Sequence, residues 1–277
     1  MQLIITEPLS IERINVAIAD LPPRLSGTKL VQLSDFHYDG CRLSEKLLTE
    51  AIAITNAEKP DIILLTGDYV TDSPTPINNL VLHLKQLQSR LGIYACLGNH
   101  DNYWPLSRKL IKESLTSIGI TVLWNEIAYP FGQELPIVGL ADFWSQEFKP
   151  EPIMKQLNPE IPRLVLSHNP DSAQALQKWR VDLQLSGHTH GGQIVIPGVG
   201  PFPRLITEWG QSLPSPIRNY IPYFKNCSRV FKNWQWSQGF HKLGNNQLYV
   251  NRGLGSYSPG RLFCPPEVTI INLVTNC

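Results

Sequence analysis

LSGHTHGGQIVIP, residues 185–197, sets His188 and His190 on either side of one threonine and surrounds them with Gly187, Gly191 and Gly192. The apolar run VDLQL (181–185) leads in and QIVIP (193–197) leads out, so the stretch reads as a loop between two strands. A fold alone has no use for paired imidazoles on such a turn. Glycines let the backbone approach closely and leave both rings free to turn inward, which suits a metal site. The remaining ligands must then come from elsewhere in the chain.

The same grammar recurs outward from that loop. KLVQL (29–33) runs into Ser34, Asp35, Phe36 and His37, and DIILL (61–65) into Thr66, Gly67 and Asp68. GIYACL (92–97) runs into Gly98, Asn99, His100 and Asp101, and PRLVL (162–166) into Ser167, His168 and Asn169. Short runs rich in Val, Ile and Leu, bounded by Gly and Pro, predict buried strands. Helical spacing lies between them. Residues 44–58 place Leu47, Leu48, Ala51 and Ile52 on one face. Residues 105–118 open on Pro105 and stop at Gly119, and residues 171–179 offer Asp171 or Ser172 as a cap. Strand–helix alternation predicts an α/β fold, in which polar clusters at the carboxyl ends of strands converge on one edge.

Seven candidate metal ligands follow: Asp35, His37, Asp68, Asn99, His168, His188 and His190. They are carboxylates, imidazoles and one amide oxygen, with no thiolate, a set that suits divalent Mn, Fe, Co or Zn. Asp35 and His37 stand two residues apart, so an extended backbone puts both on one side, and His188 and His190 repeat the spacing. Apart from the GHTHGG loop, each cluster alone reads as an ordinary turn or core residue; together they collect five of the chain's seven histidines. His83, in a helical pattern, and His241, in an aromatic segment, read as structural.

Composition sets bounds. Of 277 residues, 42% are hydrophobic and 17% charged, which predicts a packed core, and the net charge of +1 argues against a general nucleic-acid binder. MQLIITEPLS lacks a basic n-region and carries Glu7, so it does not read as a signal peptide. No apolar run approaches the roughly 18–20 residues needed to span a bilayer, so the expectation is a soluble chain, peripheral to a membrane at most. Cys41, Cys96, Cys227, Cys264 and Cys277 are scattered without a CxxC, which predicts a reducing, cytoplasmic setting.

The ordered motifs D-x-H, G-D, G-N-H-D, H and G-H-x-H, from residue 35 to residue 190, resemble those of the calcineurin-like metallophosphoesterase superfamily. LYVNRGLGSYSPGRLFCPPEVTIINL (248–273) is similar to the branch holding bacterial UDP-2,3-diacylglucosamine pyrophosphatase-like enzymes and related phosphodiesterases. The resemblance implies a four-layer αββα sandwich, two facing mixed sheets flanked by helices, built as one domain over residues 1–277. It implies two divalent ions, one held by Asp35, His37, Asp68 and His190, the other by Asp68, Asn99, His168 and His188. His100 would stand beside the scissile phosphate rather than bind metal. The implied reaction is hydrolysis of a phosphodiester or pyrophosphate bond. The leading substrate is a nucleotide-linked lipid precursor such as UDP-2,3-diacylglucosamine. Nucleotides, nucleic-acid ends and phosphoproteins are the alternatives, and a non-catalytic metal-binding scaffold is the rival from another class. Thr71 occupies a position where many relatives carry an acid that orients the histidine, which leaves Asp72 and Asp101 competing for that task. After QLYV (247–250), Asn251 and Arg252 offer either a phosphate-binding fork or structural hydrogen bonds.

One segment stands apart. Residues 201–242 hold nine of the chain's 25 aromatics and six Lys/Arg against the single acid Glu208, so the segment is +5 and the remainder −4. It reads as an insert or cap. Rings interleaved with cations suit an anionic membrane face, an acyl-chain cleft or simple packing on the core, and less well stacking on nucleic-acid bases.

Overall fold

The computed structural model describes residues 6–212 and 231–276. Two six-stranded mixed sheets stand face to face. The first comprises β1 (Ser10–Ile18), β2 (Lys29–Leu33), β3 (Ile62–Leu65), β4 (Ile93–Ala95), β5 (Ile120–Val122) and β15 (Glu267–Thr275), in the order β1-β15-β2-β3-β4-β5. The second comprises β6 (Glu126–Ala128), β8 (Ile137–Gly139), β9 (Leu164–Leu166), β10 (Leu183–Ser186), β13 (Gly239–Leu243) and β14 (Asn246–Val250), in the order β13-β14-β10-β9-β8-β6. β7 (Pro130–Gln133) lies between β6 and β8 in the chain, and β11 (Val195–Ile196) pairs with β12 (Gly200–Pro201) in a separate ribbon.

The residues of β3 show why the layers form. Ile62 and Leu64 point between the sheets, where they join Leu164, Leu166, Leu183 and Leu185 of the second sheet. Ile63 and Leu65 point the other way, into a core shared with Leu48 and Ile52 of α1 (Glu45–Ala57). A strand buried on both faces is apolar at every position, which is why IILL does not alternate. That outer core also takes Leu80 and Leu84 of α2 (Ile77–Leu84) and Ile111 and Leu115 of α3 (Ser107–Ser117). On the far side, Val138 and Val165 pack with Met154 of α4 (Pro150–Met154) and Leu176 of α5 (Ser172–Leu176). The four-layer sandwich is therefore helix, sheet, sheet, helix.

β2, β3, β4 and β5 run parallel to one another, as do β8, β9, β10 and β14. Their carboxyl-terminal loops consequently leave on one edge of each sheet. Buried Gln32 ties those edges together, donating from Nε2 to Thr66 Oγ1 at 3.0 Å and to the Ser186 carbonyl at 2.9 Å.

Several boundaries differ from the sequence expectation, each for a local reason. The helix expected over 105–118 begins only at Ser107, because Leu106 adopts a left-handed φ of 67° and leaves Pro105 outside. The helix expected over 171–179 shortens to α5. Its cap candidate Asp171 instead accepts from the backbone N–H groups of Lys232 and Asn233, at 2.8 and 3.1 Å. QIVIP joins neither main sheet and supplies only β11. Of the segment 201–242, residues 202–212 form α6 (Phe202–Ser212), residues 213–230 lie outside the described residues, and residues from Gly239 belong to β13. No helix among the described residues is long and apolar enough to cross a membrane.

Candidate metal centre

The centre grows from the ends of five strands. β2 delivers Asp35 and His37, β3 delivers Asp68, β4 leads to Asn99 and His100, β9 leads to His168, and β10 leads to His188 and His190. The backbone there is bent into unusual shapes. Asp35, His37, Asp68, His188 and His190 have φ of 49°, 43°, 54°, 70° and 50°. A non-glycine residue held there costs on the order of 1–3 kcal/mol, and five together mark a site the surrounding fold over-determines. Two glycines make room. A Cβ on Gly187 would collide with the Asp35 carboxylate and the Ser34 hydroxyl, and one on Gly98 with the Asp68 carboxylate.

All seven candidate ligands sit at this edge, and six of them fall into two groups, Asp35 with His37 and His190, and Asp68 with His168 and His188, joined by a third of His37, Asp68 and His100. His37 also reaches Asp68, its Nε2 lying 3.5 Å from Oδ2, so Asp68 stands between the groups. His190 Nδ1 faces the Gly255 carbonyl at 3.2 Å and must carry the proton there, which leaves its Nε2 as a lone pair. That lone pair points at Nε2 of His37, 3.1 Å away, and at Asp35 Oδ1, 3.4 Å away. On the other side, His168 Nδ1 gives its proton to the Thr66 carbonyl at 2.6 Å. Its Nε2 lies 3.0 Å from Asp68 Oδ2 and 3.2 Å from Nδ1 of His188. Asn99 Oδ1 is buried with no hydrogen-bond donor. The facing Nε2 atoms of His37 and His190 and the Asn99 oxygen have no donor between them, and a divalent cation is what such a set fits.

Electrostatics point the same way. Burial raises Asp35 to about 6, with the neighbouring Asp68 charge adding to the shift. Burial lowers His37 to about 3 and holds His190 well below the imidazole range. His168 behaves oppositely: burial opposes its charge, but the Asp68 carboxylate raises it to about 10. A proton shared between His168 and Asp68 is the charge a cation replaces.

His100 sits at the rim of this cluster. Its Nδ1 lies 2.9 Å from the Thr71 carbonyl, so the group that orients it is a backbone oxygen rather than either acid the sequence offered. Asp72 is largely exposed, 3.5 Å from Arg42. Asp101 is wholly buried and accepts from the N–H groups of Asp68, Tyr69 and Gly98, each at 2.8 Å, so it shapes the two loops that carry Asp68 and Asn99. Asn251 and Arg252 belong to a buried frame. Asn251 donates to Thr269 Oγ1 at 2.7 Å, and Arg252 pairs with Glu12 at 2.5 Å and Glu267 at 2.9 Å. The guanidinium that sequence offered to phosphate is thus engaged by two carboxylates.

Three residues escaped sequence reasoning. Buried Arg261 donates to the carbonyls of Arg252, Gly253 and Gly255, which presents the Gly255 oxygen to His190. Asp142 follows β8 as the other acids follow their strands, and the same strand-end signal would have found it. Its Oδ1 is buried without a donor, and burial raises its pKa to about 6. Tyr257 comes from a loop with no such signal, yet its hydroxyl lies 3.1 Å from Nδ1 of His37 and 3.3 Å from Nε2 of His100. A separate cavity of about 800 Å³ opens at the other end of β10 and β14, where Arg180, Asp20 and Asp182 pair with one another.

Comparison with known proteins agrees with this geometry. A calcineurin-like phosphoesterase family model matches residues 28–192, the stretch that supplies every candidate ligand. The chain is similar to phosphodiesterase YaeI of Escherichia coli, 35% identical over 97% of this chain and 90% of that one. It is 31% identical to the metallophosphoesterase YkuE of Bacillus subtilis, over 91% of this chain and 81% of that one. The UDP-2,3-diacylglucosamine pyrophosphatase LpxG of Chlamydia trachomatis is 28% identical, over 95% of this chain and 88% of that one. Strand-end carboxylates, facing imidazole lone pairs and these similarities lead to one conclusion: the chain belongs to the calcineurin-like phosphoesterase family, hydrolases that act on phosphate esters.

Proposed function

We propose that this protein hydrolyses a phosphodiester or pyrophosphate bond at a centre for two divalent cations, Mn, Fe, Zn or Co. Asp35, His37, Asp68 and His190 hold one cation, and Asp68, Asn99, His168 and His188 the other. The observation that carries the reading is the convergence of unsatisfied lone pairs, above all the donorless buried Oδ1 of Asn99. Cations bound there supply Lewis acidity, polarising phosphoryl oxygens and making water a competent nucleophile near neutral pH. The chain does the rest. Carbonyls of Thr66 and Gly255 fix the tautomers of His168 and His190, so a lone pair always faces inward. His100, held through Nδ1 by the Thr71 carbonyl, stands on the substrate side, and with a proton on Nε2 it stabilises charge growing on the leaving oxygen. Asn251 and Arg252 act as frame, keeping β14 against β15.

The substrate we favour is a nucleotide-linked lipid precursor such as UDP-2,3-diacylglucosamine. Support comes from the similarity to LpxG and from an apolar rim at the site. Trp144 packs edge-on to His188 with ring centroids 4.9 Å apart, and Tyr103 and Trp104, just after His100, are 70% and 52% exposed. The test is hydrolysis of bis(p-nitrophenyl) phosphate and of UDP-2,3-diacylglucosamine by Mn-loaded protein. His100→Ala should lower kcat by ~10²–10⁴, with metal content near that of the wild type. Metal-loaded protein that cleaves neither compound overturns the enzyme reading in favour of a scaffold.

A further inference from the structure

Tyr257 lies within hydrogen-bond reach of both His37 and His100, and the proton positions there follow from chemistry. The Thr71 oxygen can only accept, so Nδ1 of His100 carries the proton and Nε2 is left as an acceptor. The group facing that acceptor, at 3.3 Å, is the Tyr257 hydroxyl. His37 turns Nε2 inward to Asp68 and the cation site, so its proton sits on Nδ1, 3.1 Å from the same hydroxyl. One arrangement satisfies all three groups. Nδ1–H of His37 donates to the phenol oxygen, the phenol O–H donates to Nε2 of His100, and Nδ1–H of His100 donates to the Thr71 carbonyl.

The phenol is itself held on three sides. Its backbone N–H donates to Gln193 Oε1 at 2.5 Å, which ties it to the loop of His188 and His190. Its ring meets that of His37 edge-on, with centroids 4.9 Å apart. The Arg42 guanidinium lies over the ring, 4.7 Å from its centroid. A side chain serving only as packing has no need of a hydroxyl set between two imidazoles, one in the cation site and one beside it.

We propose that Tyr257 is a positioning residue of the hydrolytic reaction, whose hydroxyl links His37 to His100 and, with the Thr71 carbonyl, fixes the orientation of the His100 ring at the rim of the centre. The proposal rests on the reading of His100 given under Proposed function. Thr71 holds one nitrogen of that ring and Tyr257 the other, so the ring cannot swing away between turnovers.

The experiment compares wild type, Tyr257→Phe, His100→Ala and the double variant, each loaded with Mn and acting on bis(p-nitrophenyl) phosphate. Tyr257→Phe should lower kcat about tenfold, the scale of one lost hydrogen bond, and leave KM within about twofold. Metal content should match the wild type. The double variant should equal His100→Ala alone, because the phenol acts through that ring. Additive losses overturn the proposal, and so does metal loss in Tyr257→Phe, which would place the effect at His37. A second readout needs no turnover. In Zn-loaded, ¹⁵N-histidine-labelled protein, the Nε2 resonance of His100 should move when Tyr257 becomes Phe. An unmoved resonance overturns this proposal whatever the activity. A wild type that cleaves no diester, while the resonance still moves, overturns the hydrolase reading and leaves the hydrogen bond standing.

Discussion

At the scale of single residues, the centre depends on atoms that are absent. Gly187 sits where the loop after β10 passes the Asp35 carboxylate, and the His188 N–H donates to both oxygens of that carboxylate at 3.0 Å. Gly187→Ala forces a methyl group into Asp35 and Ser34. Metal affinity should fall by about 10–100-fold, the range seen when support around metal ligands is disturbed, and the fold should survive. Titration of metal-stripped protein with Mn or Zn, alongside circular dichroism, checks both halves of that expectation. The seven ligand candidates were legible because each is a chemical type that ordinary loops seldom collect at strand ends. Asp142 obeys the same rule, but its run PIVGLA (136–141) is broken by Gly139 and no histidine stands beside the acid. Tyr257 and Arg261 were invisible, since neither the phenol nor the guanidinium belongs to a pattern along the chain. Only the folded loop brings them to the histidines.

At the scale of elements, local patterns were read well and pairings were not. The apolar runs at 29–33, 61–65, 162–166 and 181–185 all contain strands, and the helix expected over 44–58 is α1, capped by Ser44 as it accepts from the Leu47 N–H. Nothing in the sequence said that β15 would insert between β1 and β2, because that pairing joins the two ends of the chain. The aromatic segment divides in two. Trp236 packs on Leu243, Leu248 and Val250, and Trp234 meets Phe231 edge-on, so these rings serve the core. Phe202 and Trp209 of α6 are 39% and 58% exposed, near Ile196 and Val199 at 38% and 55%. Among the described residues of 201–242, the exposed rings that an anionic membrane face could meet are Phe202 and Trp209 of α6 and Phe240 of β13, not Trp234 and Trp236. Wild-type protein should co-sediment with vesicles containing anionic lipid, more weakly at high salt, and Phe202→Ala with Trp209→Ala should reduce the bound fraction severalfold. Equal sedimentation of wild type and variant would remove α6 as the contact.

At the scale of the whole molecule, stability carries the cost of the site. Asp142 has a carboxyl raised from 3.8 to about 6, chiefly by burial. Its charged form is disfavoured in the folded state. The penalty is absent below the unfolded value, grows as pH rises from about 4, and is complete above about 6. Two units correspond to about 3 kcal/mol. Urea unfolding of metal-stripped protein should show wild type losing about that much relative to Asp142→Asn between pH 4 and pH 7.5. Saturating Mn should narrow the gap, because Asp142 already feels the charges of His168 and Asp68. No gap at either pH would remove Asp142 as a source of stored charge.

The division of ligands between two sheets has a further consequence. Asp35, His37, Asp68 and Asn99 come from the sheet that the chain begins, while His168, His188 and His190 come from the other. The Gly255 carbonyl that orients His190 comes later still, and β15 then returns to the first sheet. During synthesis, a ribosome that has released the first half of the protein has made half of a clasp, with carboxylates and one imidazole but nothing to close on. The centre closes only after His168, His188, His190 and the Gly255 carbonyl have emerged, so a product that stops before them holds carboxylates with no second half to meet.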